Sequence, residues 1–124
     1  MTVPAELLYT KDHEWIKIDG DVATIGVTDF AQKELGDIVY VEVETVGETV
    51  ETNEVFGTIE AVKTVSDLFM PIAGEVLEFN EDLEANPEAI NNDAYNEGWI
   101  IKVKLASTNT DSLLSADDYS KLIG

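Results

Sequence analysis

Apolar and polar residues alternate at period two in short runs separated by turn residues, and this pattern narrows the choice of folds more than any other feature of the chain. Ile16 and Ile18 share a face of a run that ends at Asp19-Gly20-Asp21, and Ala23, Ile25 and Val27 share a face of the next, 22–27. Period two is the repeat of a β-strand, and Asp-Gly supplies the positive φ that a tight hairpin turn needs. The pattern returns at 37–43, with Val39, Val41 and Val43 facing one way. At 55–62 it sets Val55, Gly57, Ile59 and Ala61 against Phe56, Thr58, Glu60 and Val62. A second arm runs over 66–70, and Pro71 and Gly74 punctuate before a strand at 75–80. Trp99, Ile101, Val103 and Leu105 alternate with Lys102 and Lys104 turned outward. Many short strands at short intervals predict a mainly β protein, a sandwich or flattened barrel.

Small helices interrupt the strands. Thr28 is placed to cap a helix from Phe30 to Leu35, with Asp29 complementing its dipole and Gly36 stopping it. Asn86-Pro87 opens one turn through Ile90, and Ser115 caps a C-terminal helix with Tyr119 and Leu122 as its apolar stripe. The run Gly36-Asp37-Ile38-Val39-Tyr40-Val41 is echoed by Gly74-Glu75-Val76-Leu77-Glu78-Phe79. No linker divides the chain, so residues 1–124 are expected to form one domain.

Composition then removes whole classes of function. Acids number 26 and bases 7, for a net charge of −19. All the bases are lysines, which argues against a nucleic-acid binder and against an anionic membrane surface. Cysteine is absent, which excludes disulfides, thiolate zinc and a Cys nucleophile, and the single histidine rules out a multi-His metal site. No apolar run is long enough to span a membrane. The opening Met1-Thr2-Val3-Pro4-Ala5-Glu6 resembles neither a secretory signal nor an Arg-rich transit peptide. The expected location is therefore the bacterial cytoplasm, or the mitochondrial matrix if a transit peptide was removed. Phosphate-cradling Gly-rich loops, Gly-x-Ser-x-Gly and His-Glu-x-x-His are all missing.

The charge map singles out Lys63, the only basic residue between Lys33 and Lys102. It also sits where two alternating arms meet, at Val62-Lys63-Thr64, so a hairpin there holds its ammonium at an exposed tip. A solvated turn lysine is the ordinary reading of such a residue. The sharper one is an attachment point: a primary amine on a four-carbon stem forms a stable amide, and acylation removes its charge.

The residues around Lys63 give the sharper reading a family. Glu60-Ala61-Val62-Lys63-Thr64-Val65-Ser66-Asp67-Leu68-Phe69-Met70-Pro71-Ile72-Ala73-Gly74-Glu75-Val76 resembles the lipoyl-attachment segment of glycine cleavage system H proteins. His13-Glu14-Trp15, Gly26-Val27-Thr28-Asp29-Phe30-Ala31-Gln32, Leu35-Gly36-Asp37-Ile38 and the stretch from Asn91 to Gly98-Trp99 are similar to that family's other segments, in the same order. The resemblance implies a lipoyl/biotinyl-type barrel-sandwich hybrid with a pseudo-twofold repeat. It implies lipoate in amide linkage to Lys63 of a non-catalytic carrier, and a monomer is expected. The cargo would be the aminomethyl group of glycine, taken from a PLP-dependent glycine decarboxylase to a tetrahydrofolate-dependent aminomethyltransferase. A dihydrolipoamide dehydrogenase would reoxidise the arm, and a lipoate-attaching enzyme would install it.

A loaded arm that ends in a cationic amine needs shelter from water and a carboxylate to dock against. The resemblance places Glu14 and Asp67 in that role; Asp12 stands where some relatives have a hydroxyl residue, and is expected as a third carboxylate contact. His13 is expected to be structural or solvated, and Trp15 and Trp99 to line the core or a cleft. The acidic face serves solubility or steers docking onto basic partners. Four other readings stand beside this one, three of them with different marks. A 2-oxoacid dehydrogenase lipoyl domain usually shows Asp-Lys-Ala and a tether, and a biotin carrier has methionines around its lysine. An acidic interaction protein carries no prosthetic group, and a lipoyl relay between acceptors shares the H-protein pattern.

Overall fold

The computed structural model describes residues 2–106 and 110–124. Strands β1 (Leu8–Tyr9), β2 (Glu14–Asp19) and β3 (Val22–Val27) lead into helix α1 (Asp29–Leu35). Then come β4 (Ile38–Glu42), β5 (Thr49–Val50), β6 (Val55–Ala61), β7 (Val65–Phe69) and β8 (Gly74–Phe79). Short helices α2 (Asp82–Ala85) and α3 (Ala89–Asn92) precede β9 (Ile101–Leu105) and helix α4 (Ala116–Ile123). Among the described residues the strands form two antiparallel sheets, one ordered β1-β2-β3-β9-β8-β5 and the other β4-β6-β7. One apolar core lies between them, built from Ile25, Val76 and Val103 of the first sheet and Val41, Ile59 and Leu68 of the second.

The β2–β3 hairpin forms as the alternation predicts, with Asp19 opposite Val22 and Gly20 at φ +66°. Helix α1 begins at Asp29, one residue before the expected start, and keeps the expected caps: Thr28 Oγ1 accepts the Ala31 N–H at 3.2 Å, and Gly36 ends it at φ +83°. Ser115 caps α4 by accepting the Asp118 N–H at 3.2 Å. The α4 stripe differs from the expected one. Tyr119 is fully buried, but Leu122 is 52% exposed, and Ala116 and Ile123 pack inward instead. Positions 116, 119 and 123 follow a helix's own three-and-four spacing, and 122 falls off that line.

Strict alternation also fails in four strands, for two reasons. Ile16 is buried, but Ile18 near the hairpin end is 37% exposed, beyond the reach of the core. In β4 the register shifts between Ile38 and Tyr40, so Ile38 and Val41 both face inward while Val39 is 48% exposed. In β6 a shift between Val55 and Gly57 turns Phe56 into the core in place of Val55. A bulge inserts one residue and reverses the facing of the residues beyond it. The echoed segments share the device. β8 shifts between Val76 and Glu78, which leaves Leu77 outward as Val39 is in β4. The partners correspond as well, since β4 pairs with β6, which pairs with β7, and β8 pairs with β9, which pairs with β3.

A second cluster joins Leu7, Tyr9, Trp15 and Tyr119 and fastens the C-terminal helix over β1 and β2. Asn91 of α3 holds α1 to β4: its Nδ2 donates to the Gly36 carbonyl at 2.8 Å, and its Oδ1 accepts the Ile38 N–H at 2.9 Å. Among the described residues no helix is long and apolar enough to cross a membrane, and no group of three His, Cys, Asp or Glu side chains could hold a metal ion.

Candidate functional site

Lys63 stands at the tip of the β6–β7 hairpin. Glu60 pairs with Val65, and the Ala61 N–H donates to the Thr64 carbonyl at 2.8 Å, so the exposed tip is Val62-Lys63. The Val62 N–H donates to the Asp37 carbonyl at 3.0 Å, which ties the tip to the end of α1. Val62 and Val65 are 76% and 62% exposed, so the lysine is flanked by apolar surface in open solvent. The lysine stem lies across Gly36: a methyl group added there would stand 3.3 Å from Lys63 Cε. Gly36 therefore does two jobs, supplying the positive φ that ends α1 and the bare surface over which the stem runs.

From the tip, β7 leads down to a cleft of about 160 Å³. Asp12, His13 and Glu14 form one wall, and Ala31, Glu34 and Leu35 of α1 form another. Val27, Ile59, Ser66, Asp67 and Leu68 complete it. At about 3.3 Å per residue, Asp67 lies roughly 13 Å along the strand from Lys63. A larger depression, about 670 Å³, opens beside half-buried Trp99 between Leu77 and Glu84. It is lined by none of Lys63, Glu14, Asp67 or Asp12, and the hairpin does not lead to it.

Glu14 is the chemically unusual group of the cleft. It is 2% exposed. Its Oε2 accepts the Phe69 N–H at 2.8 Å, and its Oε1 accepts from Thr10 Oγ1 at 3.3 Å. Burial pushes its pKa up to about 8, and the negative charge of Asp12 adds to the rise, while the Phe69 and Thr10 hydrogen bonds oppose it. At neutral pH the group is thus mainly a carboxylic acid. Exposed Asp67 and Asp12 border the same space.

The three carboxyl residues named from the sequence therefore meet in one cleft, and Lys63 stands above it on the same hairpin. His13 also lines the cleft; burial lowers its pKa, against the opposing charges of Asp12 and Glu34. Glu34 and Leu35 went unnoticed in the sequence, although their spacing from Ala31 sets all three on one helix face. Asn91 opens one of the segments that resemble the family, but its bridging role was not legible, because it depends on contacts with residues more than fifty positions away. Trp15 is core, its Nε1–H donating to the Ala94 carbonyl at 3.0 Å, and Trp99 lies under Lys102 Nζ, 5.0 Å from the ring centroid.

Known proteins share this architecture along their whole length. The glycine cleavage system H protein of Bacteroides thetaiotaomicron is 56% identical over 124 residues, 99% of this chain and 98% of its own. That of Staphylococcus carnosus is 51% identical over 125 residues, 100% of this chain and 99% of its own. The crystal structure of a glycine cleavage system H protein from Mycobacterium marinum superposes with a TM-score of 0.91 at 38% identity, covering 98% of this chain and 99% of that one. The family model described as Glycine cleavage H-protein matches residues 7–124, and this chain belongs to that family.

Proposed function

We propose that Lys63 is the residue through which this chain serves as the lipoyl carrier of glycine cleavage, with lipoate joined in amide linkage to its Nζ. The observation that carries this reading is the placement of one exposed amine on a hydrogen-bonded hairpin whose second strand runs into a partly apolar, carboxyl-lined cleft. The cleft suits such an arm: Val27, Ala31, Leu35, Ile59 and Leu68 offer apolar walls, and Asp12, Glu14 and Asp67 offer acceptors for a cationic end. When attached, the dithiolane supplies the disulfide–dithiol couple that carries the one-carbon unit and amine of glycine.

The chain's own residues do the rest. The hairpin presents the amine to a lipoate-attaching enzyme and sets its reach. The apolar walls exclude water from a docked arm. Asp67 and Asp12 attract the cationic end, each worth about 1 kcal/mol or less at their exposure. Glu14, kept protonated by its burial, would pass its proton to water when a cationic end docks beside it, and would then add a carboxylate to the latch. The chain is a non-catalytic shuttle, folded as one domain over 1–124 and monomeric. Its partners are a PLP-dependent glycine decarboxylase, a tetrahydrofolate-dependent aminomethyltransferase and a dihydrolipoamide dehydrogenase, all in the cytoplasm.

Peptide mass spectrometry of protein from lipoate-replete cells tests the attachment. Lipoate on Lys63 and on no other lysine is expected; biotin there, or a modified lysine elsewhere, refutes it. Lys63→Arg is expected to fold with unchanged stability, because the exposed tip adds nothing to the core, and to lose glycine–bicarbonate exchange. Full exchange activity in that variant would contradict the proposal.

A further inference from the structure

One hydroxyl behind the cleft joins two of its walls. Tyr119 of α4 is fully buried, and its hydroxyl oxygen lies 2.9 Å from His13 Nδ1 and 2.7 Å from Thr28 Oγ1. His13 belongs to the wall formed by residues 12–14. Thr28 caps α1, which supplies Ala31, Glu34 and Leu35 to the lining. Tyr119 stacks on Tyr9 with 4.7 Å between centroids and an 8° tilt, which fixes where the hydroxyl sits.

Donors and acceptors match along this bridge. Thr28 Oγ1 accepts the Ala31 N–H, so its own proton is available to the Tyr119 oxygen. The Tyr119 proton then goes to an unprotonated His13 Nδ1. The Thr28 N–H also donates to the His13 carbonyl at 3.0 Å. His13 sits at φ +66°, a region that side chains other than glycine rarely occupy, and its ring packs on Phe30. A backbone held there keeps its shape only while its neighbours hold it.

We propose that Tyr119 is a positioning residue for the arm cleft, its hydroxyl clamping the 12–14 turn to the start of α1 and so setting the cleft's width and the placement of Glu14. The proposal rests on the reading of Lys63 as the arm-bearing residue. It extends the functional machinery to the C-terminal helix, which contributes no residue to the cleft lining.

Tyr119→Phe removes one oxygen and keeps the stacked ring. Tyr9→Phe is its matched control, removing from the same stack a hydroxyl that donates to the Pro4 carbonyl at 2.6 Å. His13 is the single histidine, so one imidazole signal reports on the turn. In Tyr119→Phe the His13 ring nitrogens are expected to shift. The Thr28 and Phe69 amides should exchange roughly fivefold faster, the scale of one net hydrogen bond. Tyr9→Phe should leave both readouts unchanged. In lipoylated protein the loaded arm should lose its carbon unit faster by a similar factor, with the mass on Lys63 unaltered. Unchanged exchange in Tyr119→Phe, or the same change in Tyr9→Phe, overturns the proposal. So does a Tyr119 hydroxyl proton in the parent protein that exchanges as fast as a solvated phenol, a measurement that needs no variant. Absence of lipoate defeats the attachment reading and is seen by mass alone, whereas the clamp is judged on exchange and imidazole signals that need no lipoate.

Discussion

Glu14 couples folding, docking and pH through one proton. Its pKa rises from an ordinary 4.5 to about 8 because the folded protein buries it. Between those values the folded chain holds a proton that the unfolded chain has released. Stability therefore falls as pH rises through this window, by at most about 1.4 kcal/mol per unit, and levels off above it. Glu14→Gln keeps an oxygen for the Phe69 N–H and removes the titration. The variant is expected to match the parent near pH 4 and exceed it in stability at pH 8, as read by thermal melts at both. A docked cation has the opposite preference, because it favours the ionised carboxylate. The loaded arm's lifetime in the parent, relative to Glu14→Gln, should grow from pH 6 to pH 8, and a flat ratio would remove Glu14 from the latch. The sequence marked this glutamate through its His-Glu-Trp neighbourhood, but its protonation state was not legible there. That state depends on burial and on a hydrogen bond to a residue 55 positions away.

Bulges decide which side chains of the elements reach the core. Gly57 lies at the β6 bulge, where an added Cβ would meet the Glu42 carbonyl oxygen at 2.5 Å and Val43 Cγ2 at 3.0 Å. The Glu42 carbonyl belongs to the β4–β6 ladder and cannot give way without opening it. Gly57→Ala is expected to cost about 2 kcal/mol or more, from overpacking against backbone. Gly20→Ala meets nothing within 4 Å and carries only the strain of φ +66°, roughly 1 kcal/mol. Urea denaturation of both variants checks the ranking, and equal losses would show that backbone conformation, and not contact, governs β6. The same contrast explains what could be read beforehand. Turns and caps such as Asp19-Gly20, Thr28 and Ser115 are local chemistry and were legible. The inward turn of Phe56 and the outward turn of Val39 were not, because a bulge is set by the partner strand.

At the scale of the whole molecule, a net charge of −19 on a small fold acts in two opposite directions as salt is added. Within the molecule the acids repel one another, and screening relieves that repulsion; the Debye length shrinks from about 30 Å at 0.01 M to about 8 Å at 0.15 M. The melting temperature should therefore rise with sodium chloride over that range. Between molecules the same field is expected to draw the proposed carrier toward any partner with a basic rim, and screening to weaken that attraction. The association rate with the glycine decarboxylase should fall over the same range while the dissociation rate changes little, since steering acts on encounter more than on the packed contact. Acylation of Lys63 sharpens the test, because it makes the chain one charge more negative at its docking tip and removes the only cation between Lys33 and Lys102. The lipoylated form should elute later from an anion exchanger and show the steeper salt dependence of association. Stopped-flow association of both forms at matched salt separates the outcomes. Equal slopes would place the steering charge away from the hairpin, and a salt-independent rate would leave the acidic surface serving solubility alone.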